Sequence, residues 1–291
     1  MPSFSILLLL IAATFHTLRD FMTKQSKEKL LFVWWMTFFS VVLLSPICIY
    51  FIIQTKPDIS AIAFAIGMGL VHASYWTLYS KAYEKGDISH VYPIIHSAPA
   101  FVLVFGILFL KETPDRLGTL GIVAITAGLY FINMKNFHWK SLLDPILSLT
   151  KERHTQFAFL ALIFVVIYSL FDKVAVSKLH PLVYAFIMTI SALVIFSLFI
   201  RKQIKNGWTQ PLKSDFKKVI LAAIFASINY PLTLFALQLT NAGYVAGFRQ
   251  ISVIFAVLIG VFFLKEKSSK IRIVSAFLIF IGAILIAIEG A

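Results

Sequence analysis

Arg249 stands about six residues into the apolar run 243–264, with Ser252 three positions further on. A guanidinium there offers a permanent positive charge and a planar fork of donors, suited to a carboxylate or phosphate. The alternatives are a structural ion pair or a side chain reaching back to a polar surface. With Ala256 and Gly260 these residues would form one polar, small-residue face at helical spacing. His96 lies near the middle of another apolar run, one turn from Tyr92 and one from Pro99. An imidazole there can hold a ligand or carry a proton, or it can bridge neighbouring helices as a neutral group.

His72, then Tyr75 or Trp76, Tyr79 and Tyr83 recur at spacings of three and four. Such a stripe can stack on a ring or hold an organic cation over its faces, and it can equally be packing. Asn229, Tyr230 and Thr233 cluster about Pro231, which interrupts the backbone ladder. His16 and Tyr168 occupy matching places in two similar stretches and complete the candidate ligand contacts. Asp20 and Asp172 belong to the same two stretches and could gate, accept a coupling proton, or anchor helix ends. Glu112 and Glu266 end apolar runs and read as structural bridges. No Walker A, HExxH or G-x-S-x-G pattern occurs, and the histidines lack metal-ligand spacing. No cofactor, metal site or catalytic residue is expected.

These groups are embedded in an unusually apolar chain. Of 291 residues 59% are hydrophobic and 13% charged, against about 25% charged in a soluble domain; mean hydropathy is +0.88. That leaves too little polar surface for water, so the expected solvent is lipid. Windows long enough to cross a bilayer, roughly 20 residues, fall at 4–22, 30–53, 59–80, 88–110, 117–134, 156–176, 180–200, 218–239, 243–264 and 271–289. The fold class is therefore all-α integral membrane, with ten transmembrane helices. No Lys or Arg precedes the first apolar core, so that segment reads as a retained span and not a cleaved leader. The single cysteine, Cys48, excludes a disulfide framework.

The chain repeats itself. Phe109-Leu110-Lys111-Glu112 returns as Phe263-Leu264-Lys265-Glu266, 154 residues later, and Leu78, Ala82, Val91, Gly106 and Gly128 match Leu232, Ala236, Val245, Gly260 and Gly282 at that interval. His16-Thr17-Leu18-Arg19-Asp20 faces Tyr168-Ser169-Leu170-Phe171-Asp172 at an interval of 152. The division is a first repeat at 1–134, a linker at 135–155 that could lie along the headgroups, and a second repeat at 156–291. Five spans per repeat is an odd number, so the second copy should insert upside down, as in many secondary transporters.

The net charge of +13 is not spread as for nucleic acid. Alternate loops, taken with Lys218 and Arg272 at the starts of the windows that follow, carry nineteen Lys and Arg, whereas the opposite loops carry four, Lys56, Lys111, Arg116 and Lys178. Positive loops favour the cytoplasmic face, which places both termini on the non-cytoplasmic side of a cell membrane.

With the stretch Tyr83-Glu84-Lys85-Gly86-Asp87-Ile88-Ser89-His90-Val91-Tyr92-Pro93, the later Asn241-Ala242-Gly243-Tyr244-Val245-Ala246, and the two Leu-Lys-Glu ends, the whole chain resembles the drug/metabolite transporter superfamily, specifically an EamA-type ten-helix member. The family usually has Gly before that Glu; both copies here have Lys. Relatives often carry Arg after the Tyr-Pro pair, where this chain has His96, and an Arg with Ser three residues on, matching Arg249 and Ser252. The resemblance implies a pseudo-twofold carrier with a central cavity lined chiefly by helices 1, 3, 4, 6, 8 and 9.

The expectation is thus a secondary transporter, exporter by preference, for a small polar metabolite such as an amino acid. The rival readings are a flippase for a lipid-linked sugar and, more remotely, a membrane-embedded enzyme. Expected partners are a small-molecule substrate and membrane lipid, not nucleic acid, with a homodimer as a further option.

Overall fold

Long apolar stretches with few breakers leave the backbone to satisfy its own polar groups, which in lipid only a helix or a closed barrel can do. In the computed structural model, which describes residues 1–85, 91, 94–132, 152–262 and 270–288, these stretches are helices and no described residue is in a strand. They are α1 (Ser3–Gln25), α2 (Lys29–Thr55), α3 (Ile59–Lys85), α4 (Ala98–Leu110), α5 (Arg116–Phe131), α6 (Arg153–Lys178), α7 (Pro181–Phe199), α8 (Arg201–Gly207), α9 (Gln210–Leu239), α10 (Ala242–Phe248), α11 (Ile251–Phe262) and α12 (Lys270–Ile288). Seven segments among the described residues are long and apolar enough to cross a membrane: Ser3–Thr23, Lys29–Thr55, Ile59–Ala82, Arg153–Lys178, Pro181–Phe199, Gln210–Leu239 and Ile271–Ile288. Two more, Ile94–Leu110 and Arg116–Phe131, are apolar but shorter. The chain is a multi-pass membrane protein. Most of the expected linker 135–155 lies outside the described residues.

The helix ends follow local chemistry. Lys56 and Lys111 take left-handed conformations, with φ of 42° and 56°, and close α2 and α4. Asp115 caps α5 by accepting the Gly118 N–H at 2.8 Å. Pro181 opens α7, where its missing N–H is harmless. The basic stretch 201–217, left as a connection between the expected windows 180–200 and 218–239, instead holds α8 and the start of α9. Its anchor is Trp208, whose carbonyl accepts the Trp35 indole N–H at 2.6 Å and whose ring lies 5.3 Å from that of Trp35. Tryptophan packing overrides the polar composition that left it outside the windows.

The described chain forms two compact units, and neither is a sequence repeat. One comprises Met1–Leu7, Tyr75–Leu170 and Leu239–Ala291; the other comprises Leu8–Ser74 and Phe171–Gln238. Each draws on both repeats.

In the first unit α5 lies along α12. A Cβ on Gly121 would stand 2.6 Å from the Gly282 carbonyl oxygen, and one on Gly128 would stand 2.7 Å from that of Ser275. The lower residue of one helix meets the higher of the other, so α5 and α12 run antiparallel. Glycine is what lets two backbones come this close. In the second unit Phe32, Trp35 and Met36 of α2 pack on Val219, Ala222 and Ala223 of α9. The Ser40 hydroxyl adds a hydrogen bond to the Ala223 carbonyl at 3.0 Å.

Candidate functional site

In the first unit the helices that carry His96 and Arg249 are both broken. Pro99 has no N–H to give and its ring crowds the carbonyl one turn back, so the helix containing Ile94–His96 turns at Ser97 before α4 begins. Ser97 itself closes that turn: its N–H and its hydroxyl both reach the Ile94 carbonyl, at 3.3 and 2.6 Å. The second break falls at Arg249 and Gln250, between α10 and α11. There the bonds tighten to a spacing of three residues: Gln250 to Gly247 at 3.0 Å, Ser252 to Arg249 at 3.1 Å and Val253 to Gln250 at 2.9 Å.

The two breaks touch. His96 Nδ1 lies 3.2 Å from Gln250 Oε1, while Gln250 Nε2 donates to the Ala246 carbonyl at 3.3 Å. Because the amide oxygen can only accept, His96 carries its proton on Nδ1 in this contact. Arg249 is half-buried, and its guanidinium has no hydrogen-bond or ion-pair partner among the described residues. Ser252 lies beyond the break, one three-residue turn from Arg249. Tyr92 lies outside the described residues.

The aromatic stripe of α3 divides between the two units. In the first, the Tyr75 ring lies 5.3 Å from that of buried Tyr168 and 5.7 Å from Tyr79; Trp76 is half-buried beside them in sequence. These rings pack on each other. In the second unit His72 is buried against α6, α7 and α9. Its Nε2 stands 3.3 Å from Asp172 Oδ1 and 3.4 Å from the Tyr230 hydroxyl. Tyr230 donates to Asp172 Oδ2 at 2.9 Å, and Tyr184 donates to Oδ1 at 2.5 Å. Asn229 is buried, with Oδ1 lacking a partner among the described residues.

Asp20, which corresponds to Asp172 in the repeat, has a different setting. Arg19 grips it at 2.6 Å and His16 Nδ1 stands 3.2 Å away, all within α1. Its side chain is 53% exposed, against 3% for Asp172. Asp20 and His16 thus form a local charged cluster, as an interfacial anchor would.

Glu112 is a bridge. Its Oε1 accepts the Ala242 N–H at 2.7 Å and holds the N-terminus of α10. Glu266 lies outside the described residues. A recess of about 260 Å³ lined by Lys173, Val176, Ser177, Leu237 and Gln238 contains none of the expected ligand contacts. Sequence reasoning missed Gln250 and Tyr184. For Gln250 a signal existed, since it stands at the repeat interval from His96; Tyr184 had none beyond being the one hydroxyl-bearing ring in its apolar run.

The pattern that defines the EamA-like transporter family matches residues 3–134 and again 155–288. Among curated proteins, one named as an uncharacterized transporter in the cobO 3′ region of a Sinorhizobium species is 35% identical over 60 residues, 21% of this chain and 43% of that protein. An uncharacterized protein of Methanocaldococcus jannaschii, MJ1333.1, is 37% identical over 84 residues, 29% of this chain and 56% of its own length. The matches thus span about half the length of these curated relatives. One solved crystal structure shares the fold, with a TM-score of 0.72 at 14% identity, over 100% of this chain and 98% of the other.

Proposed function

Because the chain belongs to the EamA-like transporter family, and so is a membrane transporter of the drug/metabolite type, we propose that it carries a small polar metabolite, an amino acid or related compound, outward across the cell membrane. It is a secondary transporter, working by alternating access around a central cavity.

The observation that carries this reading is the pair of broken helices joined by His96 and Gln250, with the Arg249 guanidinium beside the break. Discontinuous helices present unpaired backbone groups where substrates bind in secondary transporters. An ionised side chain at mid-bilayer costs about 2.5–3.5 kcal/mol on insertion scales. An arginine held there without a described counter-charge is matched by an acidic group on a substrate. Amino acids supply that carboxylate.

Ten transmembrane helices, arranged as two five-helix repeats of opposite insertion, provide the rocking elements. Three relationships support this. His96 and Gln250 are 154 apart, the repeat interval. The approaches of Gly121 to Gly282 and of Gly128 to Ser275 exchange with each other under the same interval. And α5 runs antiparallel to α12, the helix that corresponds to it. The asymmetry of Lys and Arg between alternate loops supports both termini on the non-cytoplasmic side.

The test is uptake of radiolabelled amino acids into proteoliposomes containing the purified chain. Saturable flux is expected, with KM raised by Arg249→Ala and by His96→Ala. Unchanged kinetics in both variants would remove them from the site. No flux across the amino-acid panel, with flux of a lipid-linked sugar instead, would replace a metabolite carrier with a flippase.

A further inference from the structure

Asp172 is a carboxylate 3% exposed in a membrane-crossing helix, and the groups around it differ from those of Asp20. Asp20 has a permanent cation, Arg19, against it. Asp172 is followed by Lys173, but the Lys173 ammonium turns away and donates to the Leu237 carbonyl of α9. Facing Asp172 are His72 from α3, Tyr184 from α7 and Tyr230 from α9. Among the described residues no arginine or lysine pairs with it. Among the described residues the one neighbour bonded to it that can supply a positive charge is an imidazole, and an imidazole does so only by taking up a proton.

We propose that the His72–Asp172 pair, clamped by Tyr184 and Tyr230, is the proton-carrying site that couples transport to a proton gradient; this rests on the transporter reading above. The pair binds one proton from water on one side of the membrane. It arrives as an N–H bond on His72 or an O–H bond on Asp172, takes the pair from a net charge of −1 to zero, and is later returned to water on the other side. The buried pair tolerates dehydration best when neutral.

The clamp also explains how a proton could move helices. An ionised carboxylate only accepts hydrogen bonds, and Asp172 accepts from Tyr184 and His72 on Oδ1 and from Tyr230 on Oδ2. A proton placed on Asp172 makes the carboxyl donate once, so one of these contacts must reverse its direction or part; a proton placed on His72 leaves all three in place and makes one of them an ion pair. Each contact ties α6 to a different helix, α3, α7 or α9. Proton occupancy therefore changes the relative strength of the ties from α6 to α3, α7 and α9, a difference that coupling can use.

Two measurements on the purified chain decide it. The first is uptake of radiolabelled amino acids into proteoliposomes with and without an imposed pH gradient. Wild type should accumulate them when the gradient is present, and Asp172→Asn should show a collapsed ratio of gradient-driven uptake to exchange. Asp172→Glu should restore part of it, as a purely structural role for the side chain would not. The second needs no substrate: infrared difference spectra of wild type across a pH titration should contain either a carboxylic-acid carbonyl band that D172N abolishes or an imidazolium band that D172N moves to lower pH. If wild type moves no amino acid, the substrate reading fails while the titration still decides the proton site. Should Asp172→Asn not reconstitute, Asp172→Glu and His72→Gln carry the same readings, and the midpoint of the titration should shift in both. A pH response identical in wild type and every variant overturns the proposal.

Discussion

His96 and Gln250 share a hydrogen bond of 3.2 Å across 154 residues of chain, the interval at which the sequence repeats. A residue bonded to its own counterpart must lie beside the axis that relates the two copies, so in the proposed inverted arrangement this contact marks where the two broken helices meet. Neither side chain is symmetric with the other: the imidazole donates and the amide accepts. The pseudo-axis is thus chemically polarised at its centre. The expected outcome of a double-mutant cycle on His96→Ala and Gln250→Ala is non-additivity. Interhelical polar contacts in membranes average about 0.6 kcal/mol in such cycles, so thermal unfolding in detergent should return a coupling of that order. Strict additivity would mean that the contact does not form.

A second prediction concerns backbone approach. On Gly121 an added Cβ would sit 2.6 Å from the Gly282 carbonyl oxygen, a backbone atom that cannot swing aside. Gly121→Ala should therefore spread α5 from α12 and destabilise the protein by about 1–3 kcal/mol, the usual range for overpacking. Gly67 offers the contrast, because nothing lies within 4 Å of its added Cβ. Gly67→Ala in the interior of α3 should be neutral or stabilising by about 0.5–1 kcal/mol. Melting temperatures of the two variants, measured side by side, check both signs.

The helices were legible in the sequence because lipid permits few alternatives: apolar windows and the repeat interval place α1 to α3, α6, α7 and α12 with small errors at their ends, and α9 apart from its first two turns. The breaks were half legible. Pro99 announces the turn at Ser97, whereas the break at Arg249 and Gln250 has no proline and depends on three-residue hydrogen bonds that no periodicity encodes. Sequence spacing also grouped His72 with Tyr75 and Tyr79 as one stripe. Helical spacing reports which residues share a face, not what each meets there; His72 meets Asp172, 100 residues away, while Tyr75 meets Tyr168. Asp20 and Asp172 looked equivalent for the same reason. Their neighbours on other helices make them different, and those neighbours are set by tertiary packing alone.

A third prediction is a pH dependence that belongs to one residue. His180 lies between α6 and α7, stacked on Phe51 at 4.1 Å with its Nδ1 buried and lacking a partner among the described residues. Burial lowers its pKa from the ordinary 6.5, since the charged ring would lose water and gain nothing. With the folded value below the unfolded one, the unfolded chain binds the proton first. The contribution to stability is then complete above about 6.5 and is lost as the pH falls through the depressed folded value. Melting curves taken between neutral and mildly acidic pH should show wild type losing more stability than His180→Phe. Parallel curves for the two proteins would assign the pH response elsewhere.

The last prediction separates a structural carboxylate from a ligand-binding one. Glu112 follows α4 and accepts the Ala242 N–H at 2.7 Å, at the N-terminus of α10. A carboxylate there satisfies an orphan donor and complements the helix dipole. Its second oxygen lies beside Gly106, where an added Cβ would stand 2.7 Å away, so the glycine leaves room for the carboxylate to reach across. Removing the side chain strands a buried donor, a loss of about 1–3 kcal/mol. Glu112→Gln keeps an acceptor and gives up only the charge, so Glu112→Ala should melt lower than Glu112→Gln, and both lower than wild type. Gly106→Ala should mimic part of the effect by displacing the carboxylate. In proteoliposomes the surviving folded fraction of each variant should bind substrate with wild-type KM, because the glutamate's task is to hold α10 and not to touch the cargo. A raised KM in Glu112→Gln at unchanged melting temperature would place this carboxylate in the binding site instead.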